Sequence, residues 1–294
     1  MSSKLCLGTV KVGTPSYGYS IANSPDQHDM LLSMATRIGI TCFDTSPRYE
    51  NSEKIIGNFI RKNKKKLFIS TKIDSLDIYD ELVVSKMRRS ILKSIENLGP
   101  INLCYLHQNE ISVISNKRVL EGIKELKNEG LIKEMGASVY SIDELDYVLE
   151  SNSFDWVQIP ANILDTSFYN HIVASGSTIK IAARSIFLQG IIFQPNMIME
   201  NIADANEMIS LLNRIKLLGR QCNLELIELS VAYICSLQLI DQVLVGTTNI
   251  RNLKKIEKAS LVFINTDIKD AISEISSMNK SWTNPRFWNK HKHK

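Results

Sequence analysis

The sequence lacks the features that mark membrane proteins, secreted proteins and metal-dependent folds. No segment of the 294-residue chain approaches the roughly 20 consecutive apolar residues that a membrane-spanning helix requires. The N-terminal stretch MSSKLCLGTV has no long apolar run and no signal-type cleavage site. The five cysteines include no close pair with metal-ligand spacing, and Cys42, Cys104 and Cys235 lie in apolar runs that suit reduced thiols. We therefore expect a cytoplasmic protein without a bound metal.

The chain also has little excess charge of either sign. Its formal net charge is +4, and much of that excess comes from two short runs, KNKKK at 62–66 and KHKHK at 290–294. Such runs are typical of solvated surface, so we expect neither a nucleic acid nor a membrane as partner. The hydrophobic content of 44% and charged content of 22% are those of an ordinary globular protein.

What is present is a regular alternation of apolar, strand-like runs with helix-like segments. The runs predict strands at 39–45, 67–73, 101–107, 132–138, 155–161, 179–186 and 241–247, with a weaker eighth at 261–265. The intervening patterns predict helices at 27–38, 51–63, 80–98, 117–130, 142–151, 204–220, 224–238, 249–258 and 267–278. Strands that alternate with helices of this length form parallel sheets through crossover connections.

The sequence favours a closed sheet over an open one. A doubly wound open sheet normally carries a glycine-rich phosphate turn after its first strand, but no G-x-G-x-x-G occurs and residues 44–48 read DTSPR. No linker or change of composition divides the chain. We therefore predict a single domain over residues 1–294, an α/β fold of the (β/α)8 TIM-barrel type. Residues 5–18 contain two short extended pieces around Gly8 and Gly13, which predict a β-hairpin capping the bottom of the barrel.

Polar side chains follow the predicted strands where each apolar run ends. They are Asp44, Lys72, His107, Ser138, Gln158, Arg184 with Ser185, and Thr247 with Thr248. Active-site groups of parallel barrels come from the C-terminal ends of the strands, and neighbouring strands lie only about 5 Å apart. A single such residue is usually solvated or structural. Ionisable residues after three consecutive strands indicate one shared site, because burying an unpaired charge is costly.

Tyr49 lies in the loop after the first of these strands and is positioned to reach the barrel mouth. Its phenol, with an ordinary pKa near about 10, is a poor acid or base at neutral pH. We expect the ammonium of Lys72 to lower that pKa, and the carboxylate of Asp44 to hold the lysine. His107 is suited to donate a hydrogen bond to a substrate oxygen. These four residues are a suitable set for adding a proton to a carbonyl oxygen.

The motifs around these residues resemble the aldo-keto reductase family along nearly the whole chain. Residues 42–57 (CFDTSPRYENSEKIIG) are similar to the family signature F-D-T-A-x-x-Y-G-x-S-E, except for Ser46 and Glu50. Further similarity lies in residues 67–73, 101–107, 130–138 and 157–162. The resemblance implies that Asp44, Tyr49, Lys72 and His107 are a catalytic tetrad, with Tyr49 the general acid in reduction.

The resemblance also implies a nicotinamide cofactor, and the usual cofactor of the family is NADPH. Ser138 and Gln158 would hold the carboxamide, although Val139 replaces the usual asparagine after that serine. Arg184 stands where the family has an aromatic residue under the nicotinamide, and a guanidinium plane also stacks on a ring. The residues implied to line the diphosphate path are Ser185, Leu188 and Gly190.

The adenosine end departs most from the family pattern. Gly246 replaces a lysine, Thr247 and Thr248 keep hydroxyl groups, and Asn252 stands where many members have the arginine that binds the 2′-phosphate. Arg251 and Lys255 are close enough in sequence to substitute for it. NADPH therefore remains the expected cofactor, with NADH as the alternative.

The residues are compatible with three functions. The leading hypothesis is an NAD(P)H-dependent oxidoreductase that reduces a small aldehyde or ketone to an alcohol. The alternative is a cofactor-binding regulatory or sensor subunit of the same fold with little turnover. A lyase that forms a Schiff base on Lys72 ranks last, because Asp44 would raise the lysine pKa that such chemistry needs lowered.

Substrate identity depends on loops that the sequence only outlines. The candidates are residues 109–117, 193–204 and 281–294. In the last of these, Trp282, Phe287 and Trp288 either cover the site as a hydrophobic wall or anchor the tail against the barrel. A separate hint comes from the polar residues predicted near the mouth. Arg48, Asn162 and Arg184 favour a polar substrate such as a keto sugar, and the oligomeric state is unassigned.

Overall fold

The computed structural model describes residues 3–14, 25–276 and 283–288. Its centre is a closed barrel in which eight parallel strands each pair with the next along the chain, and the last pairs with the first. The strands are β1 (Leu5–Gly8), β2 (Cys42–Asp44), β3 (Phe68–Ile73), β4 (Leu103–Leu106), β5 (Glu134–Ser138), β6 (Trp156–Pro160), β7 (Lys180–Arg184) and β8 (Ile240–Val245). The predicted (β/α)8 barrel is confirmed.

Helices connect each strand to the next and surround the barrel. They are α1 (Val10–Gly13), α2 (Pro25–Arg37), α3 (Ser52–Asn63), α4 (Val83–Leu98), α5 (Ile111–Ile114), α6 (Lys117–Asn128), α7 (Ile142–Glu150), α8 (Ser167–Ser175), α9 (Pro195–Asn201), α10 (Ala205–Gln221), α11 (Leu226–Ser236), α12 (Ile250–Ala259) and α13 (Thr266–Ser276). Short 3-10 segments lie at Leu188–Phe193 and Pro285–Phe287. Within the described parts of the chain, no helix is long and apolar enough to cross a membrane.

Two hydrophobic layers hold this arrangement together. The larger layer lies between the barrel and its helices, and the smaller one fills the barrel interior around Leu103, Tyr105 and Trp156. Tyr105 fits inside because the facing residue on β5 is Gly136. A Cβ atom added to that glycine would lie 2.5 Å from the tyrosine ring.

The prediction of an N-terminal hairpin is wrong. Leu5–Gly8 is the first barrel strand, since it pairs in parallel with both β2 and β8. The second expected extended piece, around Gly13, lies in α1. Residues 15–18 of the expected hairpin lie outside the described residues. The chain therefore uses its first apolar run to close the barrel rather than to cap it.

The weak eighth strand at 261–265 is also wrong. Those residues form a turn and an extended connection between α12 and α13, and no strand is assigned there. Leu261 and Phe263 are 77% and 85% exposed, so their apolar character does not reflect burial in a sheet. The strand that completes the barrel is the N-terminal β1. Helix α8 was not predicted from the sequence.

Candidate active site

The strand alternation brings the predicted polar residues to the same end of the barrel interior. In β3, every second side chain faces the interior, which places Phe68, Ser70 and Lys72 on one face with the lysine nearest the C-terminal end. Leu103, Tyr105 and His107 follow the same period on β4 and just beyond it. Apolar residues therefore fill the lower barrel, and ionisable residues occupy its mouth.

Lys72 and Asp44 form a buried ion pair at this mouth. The Lys72 Nζ lies 2.7 Å from Asp44 Oδ1, and the two side chains are only 3% and 4% exposed. Lys72 also donates to the Thr45 carbonyl oxygen at 2.9 Å. The other carboxylate oxygen of Asp44 accepts hydrogen bonds from Ser70 Oγ at 3.2 Å and Gln158 Nε2 at 3.3 Å. Both charges are thus compensated by a partner and by hydrogen bonds, as buried charges must be.

Tyr49 and His107 lie next to this pair. The Lys72 Nζ is 5.2 Å from the centre of the Tyr49 ring. The rings of Tyr49 and His107 meet edge to face with centres 6.2 Å apart. His107 Nδ1 is 3.2 Å from Ser46 Oγ, a contact that orients the imidazole, and His107 lines the cleft. The structure therefore brings the four predicted residues together.

The phenol of Tyr49 is more protected from ionisation than the sequence predicted. Burial raises its pKa above the ordinary value of 10.0, and Lys72 opposes that effect without overcoming it. For Lys72, burial alone would lower the pKa, but the charges and hydrogen bonds of Asp44 and Tyr49 outweigh it and the net pKa is raised. The expected lowering of the Tyr49 pKa is thus wrong in its net direction. The phenol keeps its proton and the lysine keeps its charge.

His107 is electrically neutral at physiological pH. Burial, together with the positive charges of Lys72, Arg48 and Arg184, lowers its pKa from 6.5 to about 3. A neutral imidazole whose Nδ1 faces Ser46 can present an N–H at Nε2. The site therefore combines a protonated phenol, a charged lysine and a neutral hydrogen-bond donor.

A cleft of about 890 Å³ opens above these residues. Its lining includes all but one of the predicted site residues, namely Asp44, Tyr49, Lys72, His107, Ser138, Gln158, Arg184, Ser185, Gly190, Gly246, Thr247, Thr248 and Asn252. The exception is Leu188, whose side chain is fully buried in the hydrophobic core. Its predicted place on the surface of the diphosphate path is therefore wrong for the side chain.

Residues 4–277 match the model of the aldo/keto reductase family. The chain belongs to this family. The match extends from β1 to the end of α13, so it includes the whole barrel and the residues Asp44, Tyr49, Lys72 and His107. The family resemblance that the sequence motifs indicated is confirmed.

Individual relatives are similar to only part of this chain, and at low sequence identity. D-arabinose 1-dehydrogenase of Saccharomyces cerevisiae is 32% identical over 132 residues, which are 41% of this chain and 38% of that protein. The NADH-specific methylglyoxal reductase of Escherichia coli is 25% identical over 160 residues, 47% of this chain and 49% of that protein. The alignments therefore cover less than half the length of these curated relatives.

Solved structures of low identity share the fold of this aldo/keto reductase. The glycerol dehydrogenase of Gluconobacter oxydans superposes with a TM-score of 0.74 at 17% identity, over 92% of this chain and 90% of that one. A Gox0644 variant in complex with NADPH superposes with a TM-score of 0.69 at 16% identity, over 94% and 92% of the two chains. At these identities the likeness concerns the barrel architecture.

On the β5–β7 side of the cleft, polar groups are linked to the tetrad. Ser138 Oγ donates to Gln158 Oε1 at 3.2 Å, and Gln158 in turn donates to Asp44. Arg184 donates from Nη2 to the Val139 carbonyl oxygen at 2.7 Å, and its guanidinium covers the Tyr140 ring. One face of the Arg184 plane is therefore already occupied by an aromatic ring of the same chain.

The loop after β7 has an unusual backbone. Ser185, Leu188 and Gln189 have φ angles of 62°, 45° and 57°, in the left-handed region that side chains other than glycine seldom adopt. Gly190 follows with φ 95° and open space around its Cβ position. Strain of this kind is held in place by the surrounding structure and concentrates at functional sites.

At the β8 end of the cleft, the two cations suggested as substitutes do not line the cavity. Lys255 is half-buried, pairs with Glu225 at 2.5 Å and is not among the residues that line the cleft. Arg251 is exposed and is also not among the lining residues. Thr247 and Asn252 line this end instead. Among residues 240–259, no lysine or arginine lines the cleft, whereas Lys11 lines it from α1, which follows the neighbouring strand β1.

The structure also changes the interpretation of the polar residues near the mouth. Arg184 lines the cleft, but Arg48 pairs with Asp74 at 3.3 Å and Asn162 is buried in a turn with Asp165. Trp288 is 8% exposed and packs in the core, which favours the anchoring role. Trp282 lies outside the described residues.

Several cleft residues were missed by the sequence reasoning. The most notable are Tyr140, Gln189 and Arg286, all of which line the cavity. Tyr140 stands two residues beyond the predicted Ser138, so its place after a barrel strand was a usable signal. Arg286 is close to Asn109 only in space, since 177 residues separate them. No local pattern identifies such a contact.

Proposed function

We propose that this protein is an NAD(P)H-dependent aldo/keto reductase that converts an aldehyde or ketone to an alcohol, with Tyr49 as the proton donor. The observation that carries the proposal is the buried Lys72–Asp44 pair beside the Tyr49 ring. Curated relatives named as a sugar dehydrogenase and a methylglyoxal reductase agree with carbonyl chemistry.

Proton donation falls to Tyr49 because its phenol is protonated and adjoins a fixed positive charge. Burial raises the pKa of the phenol, so it carries its proton at neutral pH. As the proton leaves, negative charge develops on the phenol oxygen, and the ammonium of Lys72 stabilises it. Asp44 holds the ammonium in position throughout, at 2.7 Å.

His107 orients the substrate carbonyl. The neutral imidazole has its Nδ1 3.2 Å from Ser46 Oγ, which leaves Nε2 to donate to a substrate oxygen. An oxygen placed between Tyr49 and His107 would receive hydrogen bonds from two donors whose rings are fixed relative to each other. Fixed donors aimed at a developing negative charge lower the barrier without reorganising during the reaction.

The cleft fits a nicotinamide dinucleotide. Ser138 and Gln158 offer a hydroxyl and an amide at adjacent strand ends, and Arg184 Nε is buried with no hydrogen-bond partner among the described residues. These residues would hold the nicotinamide, and the backbone of the loop from Ser185 to Gly190 would hold the diphosphate. When bound, the nicotinamide supplies the hydride. NADPH is the proposed cofactor, with NADH as the alternative because no lysine or arginine of α12 lines the wall at Asn252.

The test is a steady-state assay with NADPH and with NADH against a panel of aldehydes and ketones, keto sugars included. We expect loss of the reduced-nicotinamide absorbance that depends on both the carbonyl compound and the protein. Tight binding of the dinucleotide with negligible turnover on every carbonyl would instead favour a regulatory subunit. Failure to bind either dinucleotide would contradict the proposal outright.

A further inference from the structure

An arginine–tyrosine–arginine stack forms part of the cleft wall. The Cζ atoms of Arg184 and Arg286 lie 3.7 Å and 3.6 Å from the centre of the Tyr140 ring. Two guanidinium planes this near one centre must lie on opposite faces of the ring, because they would otherwise overlap. All three residues line the cleft. We refer to them as the Tyr140 stack.

The stack is held rigidly from several elements. Arg286 donates from Nη2 to Asn109 Oδ1 at 3.1 Å. The backbone N–H of Tyr140 donates to Glu144 Oε2 at 2.6 Å, as part of the capping arrangement that begins α7. With Arg184 bound to the carbonyl of Val139, both guanidinium groups are preorganised before any ligand arrives.

Neither guanidinium in the stack is neutralised by the described part of the chain. No carboxylate there lies within salt-bridge distance of Arg184 or Arg286, whereas Arg48 at the rim pairs with Asp74. The nearby acid Glu144 is occupied by the backbone N–H groups of Tyr140 and Ser141 and by the Asn109 amide. The wall therefore carries two positive charges without a fixed counter-charge.

The stack lies on the reactive side of the cleft and away from the predicted adenosine end. Arg184 binds the carbonyl of Val139, and the adjacent Ser138 is linked through Gln158 to Asp44. Arg286 contacts residues that follow β4 and β5, whereas Gly246 and Asn252 follow β8. An anion bound by Arg286 would thus belong to the substrate rather than to the adenosine end of the cofactor.

We propose that Arg286, presented by the Tyr140 stack, binds an anionic group of the substrate, so that the natural substrate is a carbonyl compound bearing a carboxylate or a phosphate. This inference rests on the proposed reductase function and names its substrate class. Asn109 uses one donor of Arg286, and the remaining guanidinium donors have no partner among the described residues. A planar guanidinium matches both carboxylate and phosphate with paired hydrogen bonds.

The first experiment compares charged and neutral carbonyl compounds of similar size. Succinic semialdehyde is paired with butanal, and glyceraldehyde 3-phosphate with glyceraldehyde, using NADPH at saturation. We expect kcat/KM to be about tenfold to a hundredfold higher for at least one charged member of a pair. The pair that responds identifies carboxylate or phosphate as the source. Equal values within both pairs would overturn the inference.

The second experiment assigns the preference to Arg286. In Arg286→Gln, the ratio of kcat/KM for the charged substrate to that for its neutral partner should fall about tenfold, chiefly through the KM of the charged substrate. Arg286→Lys should keep part of the preference because it keeps the charge. Arg214→Gln removes the same charge from the exposed face of α10, outside the cleft, and should leave the preference unchanged. Equal loss for charged and neutral substrates in Arg286→Gln would overturn the role.

Direct binding separates this inference from the proposed function. Calorimetric titration with succinate and with inorganic phosphate needs no turnover, and circular dichroism verifies that each variant is folded. If no carbonyl compound is reduced but Arg286→Gln abolishes anion binding, the reductase proposal fails and the anion site stands. If neutral carbonyls are reduced and neither anion binds, the anion site fails and the reductase proposal stands.

Discussion

The Nζ of Lys72 lies 2.7 Å from the Oδ1 of Asp44, and both side chains are almost fully excluded from water. Removing one member of a buried ion pair leaves the other charge without compensation. The position of this pair beneath Tyr49 therefore links the stability of the barrel to the chemistry of its mouth. Substitutions here should affect both properties together.

Asp44→Asn should destabilise the protein and slow the reaction. The ammonium of Lys72 would remain buried without its counter-charge, at a cost of about 3–5 kcal/mol in the free energy of unfolding. Denaturant unfolding measures this cost. Ser70→Ala, which removes a hydroxyl that donates to the Asp44 carboxylate but leaves the ion pair intact, is the matched control and should cost about 1–2 kcal/mol. A loss for Asp44→Asn no larger than the control would contradict the buried-pair interpretation.

His107 should not titrate near neutral pH. Its pKa in the folded protein is about 3, below the ordinary 6.5, so its NMR signals should stay constant from pH 8 down to pH 5. Burial is the largest cause of this lowered pKa, and the positive charges of Lys72 and Arg184 add to it. The spectrum of His107→Gln assigns the signal. A midpoint near pH 6.5 would mean that the imidazole is solvated rather than held neutral in the cleft.

The same shift has a consequence for stability. Because the folded pKa is depressed, the unfolded chain binds this proton first as the pH falls. The contribution of a neutral His107 to folding is therefore full above about pH 6.5 and is lost as the pH falls toward 3. The stability difference between wild type and His107→Gln should shrink across this window. A difference independent of pH would contradict the assigned direction.

Much of the barrel followed from the sequence because its strands are short apolar runs with one polar residue at the end. The predicted strand 67–73 differs from Phe68–Ile73 by one residue, and helix 51–63 from Ser52–Asn63 by one. The failures have physical causes. The segment around Gly8 was correctly predicted to be extended, but so short a run does not show that it pairs with β2 and β8 rather than in a hairpin. The apolar run at 261–265 lies on the surface.

The candidate site likewise has features that could be predicted from the sequence and features that could not. Asp44, Lys72 and His107 were predictable because they end consecutive strands, and topology brings consecutive parallel strands together. The sign of the net pKa shift at Tyr49 was not, because it depends on how deeply the ring is buried. The contact between Tyr140 and Arg286 could not be predicted either, because residues so far apart in sequence come together only in the folded protein.

Asn252→Arg should increase the preference for NADPH over NADH. No lysine or arginine of α12 lines the cleft beside Asn252, and a guanidinium there would pair with the 2′-phosphate that only NADPH carries. Dissociation constants for the two dinucleotides give the ratio, and we expect it to change by about tenfold or more. Asn252→Gln adds length without charge and should leave the ratio unchanged. If the arginine variant also leaves it unchanged, the adenosine end lies elsewhere.

Gly136→Ala should destabilise the barrel from inside. The added Cβ would meet the Tyr105 ring at 2.5 Å and the Trp156 carbonyl oxygen at 2.9 Å, and neither can retreat in a filled interior. We expect a loss of about 1–3 kcal/mol in thermal or denaturant unfolding. Gly122→Ala in α6 meets the flexible end of Met87 at 3.0 Å and Val84 at an ordinary 3.4 Å, so it serves as control with a smaller loss. Equal stability of both variants would contradict the packing described for the barrel interior.

The most direct test of the proposed chemistry is single-turnover kinetics of Tyr49→Phe with the reduced cofactor already bound. Loss of the phenol oxygen removes the proton donor but leaves Ser138, Gln158 and Arg184 in place. The dissociation constant for NADPH should therefore stay within about twofold, while the rate of the chemical step falls at least a hundredfold. A chemical step that stays fast, or cofactor binding that weakens in parallel with the rate, would contradict the role of Tyr49.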